Sequence, residues 1–121
     1  MLFSENPKKL SDFYKKVFDK DPEWDDSGYS GFQLGQGMFI IGPHDKVHGE
    51  NKNPERMFVN LETDDVEDDF ERIKKLGAKV IQEPYHPGEA KEMMLATFAD
   101  PDGNYFQLAS PMEETPSSQA N

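Results

Sequence analysis

Apolar positions along the chain follow two different periods, and the changes of period mark the elements. Over residues 6–18, Leu10, Phe13, Tyr14, Val17 and Phe18 fall on one side of a 3.6-residue period, with Asn6 as N-cap and Pro7 at the first helical position. This spacing predicts a helix whose apolar stripe covers a sheet. Met1-Leu2-Phe3 reads as a stub of strand, as though the sequence opened inside its first β-strand. Residues 29–34 and 38–41 alternate as two strands joined by Gly35-Gln36-Gly37, and Gly42-Pro43 ends the pair. A second cycle follows. Residues 57–62 alternate as a strand; Asp64 or Asp65 caps a helix with Val66, Phe70, Ile73 and Leu76 on its apolar side and Gly77 at its end. Residues 78–83 are a short strand, and 93–99 with 105–109 form a hairpin. Its turn is Asp100-Pro101-Asp102-Gly103, in which proline fixes one φ, glycine supplies φ > 0 and the aspartates can bond their own backbone.

The two cycles match each other. Leu10, Tyr14 and Val17 stand 56 positions before Val66, Phe70 and Ile73 (66 − 10, 70 − 14, 73 − 17). Gly37-Met38-Phe39-Ile40-Ile41 stands against Gly103-Asn104-Tyr105-Phe106-Gln107. Each half reads strand, helix, three strands, which is an internal repeat. Between them, residues 44–56 are polar and Asn-rich, a linker or surface loop. Residues 113–121, rich in Glu, Ser, Pro and Thr, are expected to be a disordered tail. The acidic stretch over residues 19–28 holds the single tryptophan, Trp24. It reads as a packing residue near a sheet edge, with a stacking platform for a ligand as the alternative.

With βαβββ twice over, the run Asp12-Phe13-Tyr14-Lys15-Lys16-Val17, and Asp100-Pro101-Asp102-Gly103-Asn104 before an alternating strand, the chain resembles the vicinal oxygen chelate superfamily. That superfamily contains glyoxalase I, the bleomycin and fosfomycin resistance proteins and the extradiol dioxygenases. The resemblance covers residues 1–112. It implies an α+β fold in which two βαβββ modules form a curved, mixed-sheet, glyoxalase-like cup: one domain over 1–112, with module one at 1–43, the linker at 44–56 and module two at 57–112. Family members hold a divalent metal with four inward-pointing His, Glu or Gln residues, and the ion polarises vicinal oxygens as a Lewis acid. Carried over singly, these positions fall on Gln107, on Ile41 by the glycine-anchored hairpin match, on Phe58, and at or before Met1. Ile41 and Phe58 cannot ligate, and the amide oxygen of Gln107 cannot replace several converging charged or imidazole donors. No metal and no other cofactor is therefore expected.

What the resemblance leaves is the cup. By strand parity its wall comprises Phe39, Ile41, Phe58, Asn60, Tyr105 and Gln107, apolar with a few polar groups to orient a ligand. The same six could instead fill a plugged, well-packed interior. Resemblance also implies a two-fold homodimer. The expected function is binding of a small organic molecule without the metal; the alternative is a lyase, isomerase or dioxygenase, metal-independent or with non-standard ligands.

Composition narrows the partners. There are 24 acidic and 13 basic residues in 121, a net charge of −11, which disfavours nucleic acid and anionic membrane surfaces and suits a neutral or cationic small molecule. No cysteine is present, so disulfides and thiolate metal sites are excluded and a reducing, cytoplasmic location is expected. No apolar run spans a bilayer and no signal peptide is legible. His44 and His48 have i, i+4 spacing, but Pro43 and Gly49 bracket a segment without a helical stripe, so both read as solvated loop residues. His86, in Pro84-Tyr85-His86-Pro87-Gly88-Glu89, reads in the same way as a solvated loop residue but is the best single candidate acid or base, with Tyr105 or a carboxylate as alternatives, because the corresponding loop often closes over the cup in the family it resembles.

Overall fold

The computed structural model describes residues 1–88 and 92–111. In chain order the elements are β1 (Leu2–Ser4), α1 (Pro7–Phe18), β2 (Trp24–Asp26), β3 (Tyr29–Leu34), β4 (Gly37–Pro43), β5 (Phe58–Glu62), α2 (Val66–Lys75), β6 (Lys79–Tyr85), β7 (Leu95–Ala99) and β8 (Tyr105–Ala109). Two mixed four-stranded sheets result, ordered β1-β4-β3-β2 and β5-β8-β7-β6, each with one helix and neither closed. This is the α+β, two-module architecture expected from the repeat. β2 is the third strand that the repeat requires of the first half, at residues that the acidic stretch over 19–28 did not mark as strand. The proposed tail lies outside the described residues.

The chain falls into two compact units. The first comprises Met1–Met57 together with Ala99–Asn104; the second comprises Phe58–Phe98 and the chain from Tyr105 onward. The turn between β7 and β8 is therefore counted with the first unit.

In the first unit, Asn6 caps α1 by accepting the Lys9 N–H at 3.3 Å, with Pro7 occupying a position that needs no donor. The helix ends at Asp19, which takes the left-handed conformation at φ 55°. Its inner stripe of Leu10, Tyr14 and Val17 is buried. Phe18 meets Phe32 and Phe39 at ring separations of 5.3 Å, and Tyr14 meets Phe39 at 5.0 Å. Phe32 lies opposite Phe39, and Ser30 opposite Ile41, in the β3–β4 ladder, so these residues share the helix-covered face. The buried phenol of Tyr14 donates to Asp100 Oδ2 at 2.7 Å. Asp100 Oδ1 accepts the N–H groups of Asp102 and Asn104, both at 2.9 Å, which holds the turn in shape. Asn51 tethers the linker to this turn, donating its N–H to the Asp102 carbonyl at 2.7 Å.

In the second unit, Asp65 caps α2 by accepting the Asp68 N–H at 3.0 Å. Glu67, Asp68 and Asp69 in the first turn and Arg72, Lys74 and Lys75 in the last complement the helix dipole. Phe70, Phe98 and Phe106 stack in sequence, with centroids 5.1 and 5.5 Å apart, over buried Ile73 and Leu108. Leu76, expected on the buried stripe, is instead 45% exposed, because the helix has already ended at Lys75 and Leu76 is its C-cap.

Candidate functional site

In the second unit, β5 and β8 run parallel, with Phe58 opposite Tyr105, Asn60 opposite Gln107 and Glu62 opposite Ala109. Phe106 and Leu108 are buried on the side of the Phe70–Phe98 stack. Alternation then places Phe58, Asn60, Tyr105 and Gln107 together on the other face, as their parity in the sequence predicts. The Phe58 and Tyr105 rings meet edge-on at 5.6 Å. Beside them the amides of Asn60 and Gln107 stand as a cross-strand pair, and among the described residues neither has a hydrogen-bond partner. The β7–β8 hairpin is bounded by Asp100 N–H to Asn104 carbonyl at 2.8 Å and Ser110 N–H to Met94 carbonyl at 3.1 Å. This register sets Thr97 opposite Gln107, adding a hydroxyl to the polar row. Sequence reasoning missed Thr97, although the alternation over 93–99 could have found it.

The first unit corrects two positions. Phe39 and Ile41 do not face away from the helix. Phe39 packs on Tyr14 and Phe18, and Ile41 is fully buried on the same side. The reason is the length of the two hairpin turns. Gly37 is already in β4, paired with Leu34, whereas Gly103 lies inside the turn with its N–H on the Asp100 carbonyl. Matching the two glycines shifts the register by one residue, and a one-residue shift exchanges the faces of every side chain. Met38, Ile40 and Gly42 take the open face, where Ile40 is the counterpart of Gln107.

Two aromatic residues share that face. Trp24 stands opposite Gly31 and Tyr29 opposite Gly42, the latter from the Ser30–Ile41 register. A Cβ at Gly31 would come within 2.4 Å of the Trp24 ring, and one at Gly42 within 2.2 Å of the Tyr29 ring. Both rings therefore lie directly on backbone, which only glycine permits. Glycine inside a strand signals such close approach, and Gly31 and Gly42 carried that signal in the sequence.

A family profile described as a glyoxalase-like domain matches residues 2–109, nearly the whole chain. The chain belongs to the glyoxalase-like family. Solved structures of similar fold include a glyoxalase/bleomycin resistance protein/dioxygenase family enzyme from Burkholderia phytofirmans. It shows 18% identity and a TM-score of 0.71, over 90% of this chain and 93% of that one. A fosfomycin resistance protein from Mesorhizobium loti aligns over 99% of this chain and 92% of its own, with 20% identity and a TM-score of 0.64. A hypothetical protein from S. aureus reaches 22% identity and a TM-score of 0.71, over 91% and 89%. At these identities the likeness is one of fold. No curated protein matches the sequence.

The metal implied by the glyoxalase-like family does not fit these residues. On the open face of the second unit the donors are the neutral amide oxygens of Asn60 and Gln107 and the single carboxylate of Glu62, too few charged or imidazole groups to hold a divalent ion. Among the described residues no group of three His, Cys, Asp or Glu could hold a metal ion.

The histidines sit in loops. His44 and His48 border a cavity of about 360 Å³ in the first unit, with Ser4, Glu5 and Asp45. Both oxygens of Glu5 are engaged, one accepting the Gly49 N–H at 2.9 Å and the other 3.5 Å from His48 Nδ1; the Gly49 bond and then His48 lower its pKa. His86 Nδ1 lies 2.8 Å from the Met93 carbonyl. A carbonyl only accepts, so Nδ1 is the donor in this contact. The buried Tyr14–Asp100 pair is shifted in both its groups. Burial, then the Asp100 carboxylate, raises the Tyr14 pKa well above that of an ordinary phenol. Burial also raises Asp100, against the opposing bonds from Tyr14, Asn104 and Asp102. No helix among the described residues is long and apolar enough to cross a membrane.

Proposed function

We propose that this glyoxalase-like protein binds a small organic molecule on the open face of its second unit without the family's metal ion. One observation carries the reading: the edge-on Phe58–Tyr105 pair beside the unpartnered amides of Asn60 and Gln107. Ring faces and edges bind flat apolar groups, while two amides side by side offer two acceptors and four N–H donors to a ligand with carbonyl or amide edges. Such a surface recognises and orients a ligand. The net charge of −11 favours a neutral or cationic ligand over an anionic one.

The test has two parts. Metal analysis of protein purified without chelator is expected to give well below one equivalent, and stoichiometric zinc, nickel or iron would overturn the metal-free reading. A thermal-shift screen with α-keto acids, amides, cationic glycopeptides and glutathione adducts is expected to find a stabilising class whose effect is lost in Asn60→Ala and Gln107→Ala. Stabilisation by none of them would favour a closed, packed interior.

A second reading rests on His86, whose ring is held through Nδ1 by the Met93 carbonyl, and treats the chain as a metal-independent lyase or isomerase of the superfamily. Turnover that disappears in His86→Gln would establish it. We also propose a cytoplasmic homodimer. Sedimentation giving a monomer throughout the micromolar range would remove the dimer, and fractionation of the source cells tests the location.

A further inference from the structure

We infer that the open face of the first unit holds a recognition site for a guanidinium group, formed by the flat ring of Trp24, the carboxylate of Asp26 and the ring of Tyr29. This goes beyond the proposed function and stands on the first unit alone.

Trp24 and Asp26 are alternate residues of β2, so both point to the face that carries Gly31 and Gly42. Their Cα atoms are about 6.6 Å apart along the strand at about 3.3 Å per residue. Asp26 lies directly opposite Tyr29. The glycines fix the ring orientations: Trp24 is pressed onto Gly31 and Tyr29 onto Gly42, each at a distance that leaves no room for a Cβ. Each ring therefore has one face on backbone and the other turned away from the sheet. Trp24 is nevertheless 39% exposed, on an edge strand whose three residues are all exposed.

Charge selects the occupant. Asp26 shares the face of the indole, and Lys20, the cation nearest in sequence, is engaged by Glu23 at 3.2 Å and by the Gln33 carbonyl at 2.7 Å. The indole face carries the negative end of its quadrupole, so it attracts a cation. A guanidinium is flat and weakly hydrated; it can stack on the ring while its edge N–H groups reach a carboxylate in a paired geometry. An ammonium satisfies the charge but not the flatness. A urea satisfies the flatness but not the charge. Asp26 is available for this, since among the described residues its carboxylate accepts only the Ser27 hydroxyl, at 3.3 Å.

Trp24 is the only tryptophan in the sequence, so fluorescence excited selectively at tryptophan reports this site alone. Titrating the full chain with ethylguanidinium is expected to give a saturable change, with propylammonium and N-ethylurea at least about tenfold weaker. Asp26→Asn, an exposed edge change whose fold circular dichroism can verify, is expected to weaken ethylguanidinium by about tenfold. Gly31→Ala should abolish the response by displacing the ring while leaving the tryptophan in the chain. A Gly-Arg-Gly peptide tests the source: tighter binding than ethylguanidinium assigns the site to arginine in a peptide, and weaker binding assigns it to a free guanidino compound. No saturable change with either guanidinium probe up to about 10 mM, equal binding of the ammonium or the urea, or an unchanged affinity in folded Asp26→Asn would each overturn the inference. None of these outcomes depends on Asn60 or Gln107, so the proposed function stands or falls separately.

Discussion

The two sheets are copies of one plan whose helix-facing sides remain alike while their open sides have diverged. Against the helices, Phe39 and Ile41 in β4 correspond to Phe106 and Leu108 in β8, aromatic for aromatic and aliphatic for aliphatic. On the open sides the correspondence is one of place only. Met38, Ile40 and Gly42 stand where the second unit has Tyr105, Gln107 and Ala109. The first unit settles rings onto bare glycine backbone; the second pairs ring with ring and amide with amide. Core packing tolerates few exchanges because each costs cavity or strain energy, whereas an open face is free to change its chemistry. Duplication thus yields two differently equipped surfaces on a shared support.

The comparison can be broken most forcefully at the core. Phe98→Ala removes the middle ring of the Phe70–Phe98–Phe106 stack and is expected to cost about 3–5 kcal/mol in urea denaturation; a cost below 1 kcal/mol would mean the stack is not the support it is taken for. Ile41→Ala sharpens the face assignment, with an expected cost of about 2–5 kcal/mol because the side chain is fully buried. Ile40→Ala should cost less, and the reverse order would restore Ile41 to the open side.

Tyr14→Phe has no counterpart in the second unit, where Phe70 holds the equivalent place. It removes a hydrogen bond to a carboxylate, expected to cost about 1.5–3 kcal/mol. The pH dependence has a definite sign. The folded Tyr14 pKa is raised, so its contribution is full below the unfolded value of about 10 and is lost as pH rises beyond it. Asp100 is also raised, so the folded chain holds that proton more tightly and the contribution of Asp100 declines as pH climbs from the unfolded carboxylate value through the raised one. Denaturation midpoints against pH should show the alkaline loss in the parent and not in Tyr14→Phe. The variant should also titrate Asp100 higher still, since the Tyr14 bond lowers that pKa. The smallest effect belongs to Gln107→Ala, expected to change stability by no more than about 0.5 kcal/mol while abolishing ligand stabilisation. A large loss of stability would identify Gln107 as a packing residue.

The features legible in the sequence were those decided by neighbours along the chain. Asn6-Pro7 and Asp65 announced the helix starts, the 3.6-residue stripes announced the buried faces, and alternation in β5 and β8 placed Phe58, Asn60, Tyr105 and Gln107 together. The errors arose where a distant or finer geometry decided. The face of β4 depended on whether its glycine sat in the turn or in the ladder, which composition does not distinguish. β2 escaped because three exposed residues carry no alternation; it is a strand only through its pairing with β3. The resting places of Trp24 and Tyr29 depended on pairing across strands, and only the in-strand glycines hinted at them.

The hydrogen bond from Tyr14 to Asp100 also bears on the order of events during synthesis. It joins residues 86 positions apart, and residues 99–104 are counted with the first unit. A nascent chain that has emerged only through Met57 would present the buried face of α1 with no acceptor for its phenol and no Asp102 carbonyl for the Asn51 N–H. The amino-terminal unit, although made first, completes its interior only when nearly the whole described sequence has been translated. Folding of this half is thereby timed by the other.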